Sequence, residues 1–211
     1  INLADGRLFV AESAAGPTAV VLMPSRGGTF VFKPTPETER GQLRIYCGSD
    51  TLQDQYAAAF VRIHPGDFAS RFPDASLTPE PVDQALFRRA AATFRDDMSK
   101  SFGLDLADLS RDTWSFTPVP GESLAEIHTK KFQTLTYARV ANEPEDISLF
   151  DRARRRNISV YPSASHIASH GRFFDEDAHA AFAVERTELN LTIDPDRYWI
   201  EGLARIRLRV T

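Results

Sequence analysis

The sequence holds a single cysteine, Cys47, among 211 residues. No internal disulfide can form, so cysteine usage is silent on the compartment. Between Tyr46 and Gly48, Cys47 reads as a small core residue rather than a catalytic thiol. No run approaches 18 consecutive apolar residues, which excludes a membrane-spanning helix. A concentration of charge is also missing: 25 Lys and Arg stand against 29 Asp and Glu, a net charge of −4. That balance argues against nucleic acid as a main partner, because phosphate binding needs a dense basic surface. There is no Gly-x-Ser-x-Gly elbow, and Gly27-Gly28 lacks the rest of either nucleotide-binding fingerprint.

What is present suffices for a core. Apolar residues make up 42% of the chain and 15 are Phe; a chain of this size buries roughly 70% of its unfolded surface. Gly and Pro divide the first 47 residues into short β-rich runs at 8–10, 19–23, 30–32 and 43–47. Asp50, with Gln53 three residues on, predicts a capped helix whose face carries Leu52, Tyr56 and Phe60; the alternative is that Phe60 to Ile63 begin a strand that Pro65-Gly66 ends. A longer helix is predicted over 80–101, capped by Thr78 and stopped by Gly103. Val82, Leu86, Ala90 and Phe94 form its stripe, with Arg88, Arg89, Arg95, Asp96 and Asp97 toward solvent. Residues 124–140 alternate as a strand pair, and 158–161 read as a further strand. Residues 163–182 read as an exposed connection. Two alternating runs, 189–193 and 204–210, joined through Asp194-Pro195-Asp196-Arg197, form a hairpin with one buried face. A hairpin of this kind is marginal alone and calls for partner strands.

The expected fold is α+β: mostly antiparallel sheet with one or two packed helices, then a β-hairpin belonging to a further β-domain. The expected organisation is a sheet-rich domain at 1–165, a connection at 166–182 and the hairpin at 183–211. Ile1 in place of Met leaves room for a removed signal peptide.

Each chemical motif is tested against the geometry its chemistry requires. His166 and His170 lie four apart, the spacing of two zinc ligands on one helix face. The general base that should follow the first His is replaced by Ile167, and the position for a third ligand is Leu189 rather than Glu. The pair therefore reads as polar residues of an exposed connection. Asp175, Glu176, Asp177 and His179 form an acidic cluster without the spacing of a calcium loop. Arg152, Arg154, Arg155 and Arg156, beside Asp151, read as a charged loop before a strand. Asn157 and Asn190 head glycosylation tripeptides, but both fall in predicted strands. No catalytic, cofactor-binding or metal residue is assigned.

The segment Val184–Val210 resembles the opening of the amino-terminal β-domain of aminopeptidase N-type zinc metallopeptidases. The resemblance rests on Glu188-Leu189-Asn190-Leu191-Thr192-Ile193, the turn Asp194-Pro195-Asp196, and Ile200-Glu201-Gly202 with Ala204-Arg205-Ile206-Arg207-Leu208. It covers about 27 of 211 residues. The stretches Gly28-Thr29-Phe30-Val31-Phe32-Lys33-Pro34 and Glu39-Arg40-Gly41-Gln42-Leu43 resemble, more loosely, an extra amino-terminal region of some large bacterial members. The family's zinc-binding motif and its Gly-x-Met-x-Asn loop are absent, so no catalytic residue carries over.

The resemblance implies a non-catalytic, exported amino-terminal segment with a structural or substrate-access role. Its partners would be the downstream domains of its own polypeptide and, through them, a peptide substrate; zinc would reside only in a downstream catalytic domain. A rival expectation is a free-standing peptide- or glycan-binding module using Trp114, Phe116, Tyr198 or Trp199. A second rival is a metal-dependent hydrolase using His166 and His170.

Overall fold

Glycine and proline cut the first 35 residues into the strands expected: β1 (Gly6–Ser13), β2 (Gly16–Pro24) and β3 (Gly28–Phe32). The structure, a computed structural model, describes residues 1–73, 76–102, 118–140, 143–170, 182–194 and 199–210. The chain divides into two compact units, Ile1–Phe174 and Asp175–Thr211. The predicted stop Gly103 lies outside the described residues.

In the first unit, α1 (Glu37–Cys47) and β4 (Leu52–Ile63) follow β3, then a 3-10 turn at Pro65–Asp67 and α2 (Phe68–Arg71). The long helix α3 (Gln84–Phe102) precedes β5 (Ser123–Thr129), β6 (Thr134–Arg139), β7 (Ile147–Asp151), β8 (Arg156–Tyr161) and α4 (Ala164–His170). The strands form one antiparallel sheet in the order β1-β2-β4-β5-β6-β7-β8, with β3 also paired to β4. Mostly antiparallel sheet with a few packed helices is the α+β class expected.

Two elements differ from the sequence reading, for one reason. Residues 43–47 are the end of a helix. A strand would put Leu43, Ile45 and Cys47 on one side, but Leu43 is fully buried and Ile45 is 82% exposed, as helical geometry requires. Glu37 bonds Arg40 and Arg44 across the first two turns. Gly48, at φ +79°, ends the helix with its N–H on the Arg44 carbonyl, a left-handed cap that favours glycine. The helix expected from Asp50 is instead strand β4. A spacing of four suits a helix and is also a multiple of the strand period of two. Leu52, Tyr56 and Phe60 therefore fitted both.

The β4 pattern hides a bulge. Tyr56 pairs with Thr129 and Ala58 with His128, so Ala57 is an extra residue that reverses the alternation. Leu52, Tyr56, Ala59, Val61 and Ile63 join the core beneath α1 and α2. Ala58 and Phe60 face α3 with Ala19, Val21 and Met23. Helix α3 docks there through Leu86, Ala90, Phe94 and Met98, with Phe94 edge-on to Phe60 at 5.8 Å. Among the described residues, the sheet thus carries α3 on one face and α1 and α2 on the other, with an open cleft on the α1 face.

Further corrections concern caps and burial. Helix α3 starts later than predicted: Asp83 caps it, its carboxylate accepting the N–H groups of Ala85 and Leu86 at 2.8 and 3.0 Å. Thr78 lies in the preceding coil, where Glu80 pairs with Arg7 of β1. Asp97, assigned to the solvent side, is fully buried. Strand β7 was not read from the sequence, and Ala164–His170, expected as connection, is helix α4.

The second unit holds only the hairpin: β9 (Phe182–Asp194) and β10 (Trp199–Val210), antiparallel, in a sheet of their own.

Two predictions follow from these contacts. Gly28 faces Tyr56 across β3 and β4, and a Cβ there would stand 2.1 Å from the Tyr56 ring. Gly28→Ala should cost about 1–3 kcal/mol of unfolding free energy, and adding Tyr56→Leu should recover part of the loss; paired thermal melts test this. Second, the backbone bonds from Leu86 and Ala85 hold the Asp83 carboxyl below its usual range. A depressed pKa contributes stability at neutral pH that is lost as the pH falls below about 4. Asp83→Ala should lower the Tm at pH 7, and the gap to the parent should close near pH 2.

Candidate functional site

On the α3 face, β5 turns three polar side chains inward where alternation alone predicts only that they share a side: Glu126, His128 and, across on β6, Thr136. Glu126 is fully buried. Its carboxylate accepts the Thr136 hydroxyl at 2.8 Å and the Arg152 guanidinium, both Nε at 3.2 Å and the terminal Nη2. Arg152 starts the β7–β8 turn, so the basic run is largely accounted for. Arg154 reaches Asp151, and Arg154 and Arg156 lie over the Tyr46 ring at 5.0 and 5.6 Å. A pair this deeply buried fixes sheet and turn together.

Beside it runs a carboxylate–imidazole–hydroxyl row. Asp97 of α3 meets His128 Nε2 at 2.5 Å, and the Thr134 hydroxyl lies 3.3 Å from His128 Nδ1. With Nε2–H donating to Asp97, Nδ1 accepts from Thr134. The row has the order of a nucleophile, a base and an orienting carboxylate. Its hydroxyl distance exceeds the roughly 2.6–3.2 Å of a working nucleophile–base bond. Sequence reading placed Glu126 and His128 on one face but had no means of bringing Asp97 to them.

The sequence-predicted histidines do not form a described pair. His166 is buried on α4, its backbone N–H held by the Ser163 hydroxyl at 3.1 Å. Ser163 is itself fixed by Asp146. This corrects the reading of His166 as an exposed residue of a connection. The His170 side chain lies outside the described ones, as do Asp175, Glu176, Asp177 and His179. Among the described residues, no group of three or more His, Cys, Asp or Glu side chains is placed to hold a metal. Trp114, Phe116, Tyr198 and the Trp199 side chain also lie outside the described residues.

The opposite face carries a feature the sequence did not announce. Helix α1 packs over the β8 end of the sheet, where Glu39 accepts the Ser159 hydroxyl and the Val160 N–H. Phe68 and Phe72 of the α2 region cover another part. Beside Phe72 an open cleft of about 430 Å³ reaches down to a floor of Leu22, Phe30, Phe32, Val61 and Ala125, all of them buried core residues. Tyr137 and Tyr161 stand beside the floor, and Lys33, Arg71 and Ser123 also line the cleft. Burial raises the Tyr137 phenol above the ordinary tyrosine range, with Arg139 and Arg71 pulling the other way. Burial likewise raises Tyr161, whose hydroxyl bonds Thr35. Both phenols are therefore neutral hydrogen-bond donors at physiological pH.

The second unit presents a surface rather than a pocket. Glu185 of β9 is an extra residue in the ladder, because Arg207 pairs with Arg186 and Leu208 with Val184. That bulge brings Val184 onto the side of Leu189, Leu191 and Ile193. On β10, Ala204, Ile206 and Leu208 take the same side, paired with Leu189, Thr187 and Val184. The result is a one-sided apolar ribbon, with Leu189, Leu191 and Ile193 each more than half exposed. The other side carries Arg186, Arg205 and Glu188 in ion pairs, with Leu203 as its one exposed large apolar residue among the described ones.

The buried pair supplies a test of its role. Glu126→Ala should cost about 3–5 kcal/mol, because it removes one partner of a buried pair. Glu126→Leu combined with Arg152→Met should restore most of that loss in denaturant unfolding. Comparison with known proteins gives no assignment: no family model, no curated protein and no solved structure matches this chain.

Proposed function

We propose that the chain is a non-catalytic segment whose hairpin docks into a larger β-sheet of its own polypeptide, the first unit serving as an accessory body beside it. The observation that carries this reading is the ribbon. It runs twelve residues along β10, about 40 Å at the strand rise. On one side of it Val184, Leu189, Leu191, Ile193, Ile206 and Leu208 are exposed. Two-stranded ribbons of this kind are marginal in water, and so large an apolar face marks an interface. The outer edges of β9 and β10 pair with no other strand among the described residues. A continuing antiparallel sheet meets both demands at once, covering the apolar face and extending the ladder, whereas a helix would cover the face and leave the edges.

The resemblance of residues 184–210 supports an exported zinc aminopeptidase as the larger protein, with zinc and peptide substrate belonging to its catalytic part. The sequence supports a non-catalytic role for this segment, since each catalytic template tested on it lacks a required group.

Hydrogen exchange on the native gene product and on residues 1–211 tests the reading. Amides of β9 and β10 should exchange within seconds in the 211-residue chain and be protected at least about a hundredfold in the native product. Equal, fast exchange in both would overturn it. An aminopeptidase assay of the 211-residue chain should show no turnover. Zinc-dependent cleavage lost in His166→Ala would replace the accessory reading with a hydrolase.

A further inference from the structure

The cleft on the α1 face has a chemistry that the docking of the ribbon does not use. Its floor is aromatic and aliphatic, built by Phe30 and Phe32 of β3, Val61 of β4 and the small Ala125 of β5. The low Ala125 side chain leaves depth where its neighbours on the strands are large. Phe32 meets Tyr137 edge-on at 6.3 Å, so the aromatic floor continues into a phenol. This is the usual construction of a small-molecule site: apolar walls with a few convergent polar groups.

The polar groups share one sign. Lys33, just past β3, and Arg71, at the end of α2, both line the cleft, and neither forms an ion pair with a described residue. No Asp or Glu is among the described residues that line it. Asp146, whose charge reaches both tyrosines, is already held by Arg139 at 3.6 Å and by the Ser163 hydroxyl at 2.7 Å. The Tyr137 phenol adds a neutral donor, and Ser123 a hydroxyl. Two unneutralised cations and a phenol above an aromatic floor match an anionic head on an apolar body. A guanidinium binds a carboxylate in bidentate fashion. A space of about 430 Å³ is of the size that holds one small molecule.

We infer that this cleft binds a small amphiphilic carboxylate. Its alkyl or aryl body lies on Phe30, Phe32 and Ala125, and its carboxylate is held by Arg71, Lys33 and the Tyr137 hydroxyl. The role assigned to the cleft is binding.

The test uses the whole 211-residue chain, labelled with 15N and titrated below micellar concentration with decanoate, decanol or decyltrimethylammonium. Decanoate should shift the amides of Phe32, Ser123 and Tyr137 saturably. Decanol should bind at least about tenfold more weakly, the equivalent of one charge-assisted hydrogen bond, and the cationic probe should leave these amides unmoved. Lys33 and Arg71 are exposed, so Lys33→Ala with Arg71→Ala should keep the parent Tm while decanoate affinity falls to that of decanol. Arg71→Lys alone should retain part of the preference for the anion. Four results would each overturn the inference: no saturable shifts, equal affinity for decanoate and decanol, unchanged affinity in the folded double variant, or shifts confined to residues 182–210.

Discussion

Strand β4 bonds to β2 and β3 along one edge and to β5 along the other, and it is the only described strand that feeds both hydrophobic cores through a reversal of its own alternation. The bulge at Ala57 makes this possible. Before it, Leu52 and Tyr56 face α1; after it, Phe60 faces α3 while Val61 and Ile63 take over the α1 side. Without the extra residue, Phe60 would share the side of Tyr56, and α3 would lose the ring against which Phe94 packs. The position of α3, and of the Asp97 side chain it carries, rests on that one irregularity. Gly28 belongs to the same arrangement, since the Tyr56 ring occupies the space a side chain there would fill.

The two faces of the sheet solve different problems. Beneath α3, over β5 and β6, the interior is polar: Glu126 and Thr136 bind the β7–β8 turn through Arg152, and beside them His128 joins Asp97 of α3 to Thr134. Such a network stabilises little on balance, because desolvating the charges offsets much of their attraction, yet losing one member is costly. Its consequence is registration of helix, sheet and turn. Beneath α1 the interior is apolar and incompletely roofed, and the unroofed part is the cleft. Covering by two short elements, α1 and α2, leaves part of that face open.

The hairpin unit shows the same chemistry without its cover. A bulge at Glu185 again corrects an alternation that would otherwise split the apolar residues between two sides. The ribbon has the pattern of half a sandwich, one side for a core and one for charges. A bulge aligning residues that then remain exposed is consistent with a surface shaped for a partner sheet.

Alternating patterns determined the antiparallel sheet class, the hairpin at the carboxyl end and the strands at 124–140, because a period of two is local and survives without tertiary context. The apolar stripe of α3 was legible for the same reason. Short elements were not. Leu43 to Cys47 satisfies a strand pattern and a helix pattern over five residues, and Leu52, Tyr56 and Phe60 satisfy both over nine. Only the partners available, Tyr56 against Gly28 and Leu43 beneath the sheet, decide between them. The cleft was the least legible feature: its residues come from seven separate elements and adjoining segments, and no spacing along the chain links Lys33, Arg71 and Tyr137. The chain's own pattern determined which residues are apolar on which side of a strand. Tertiary structure alone decided which of those sides would be roofed, because that depends on where helices land across the sheet, a long-range packing outcome that no local period encodes.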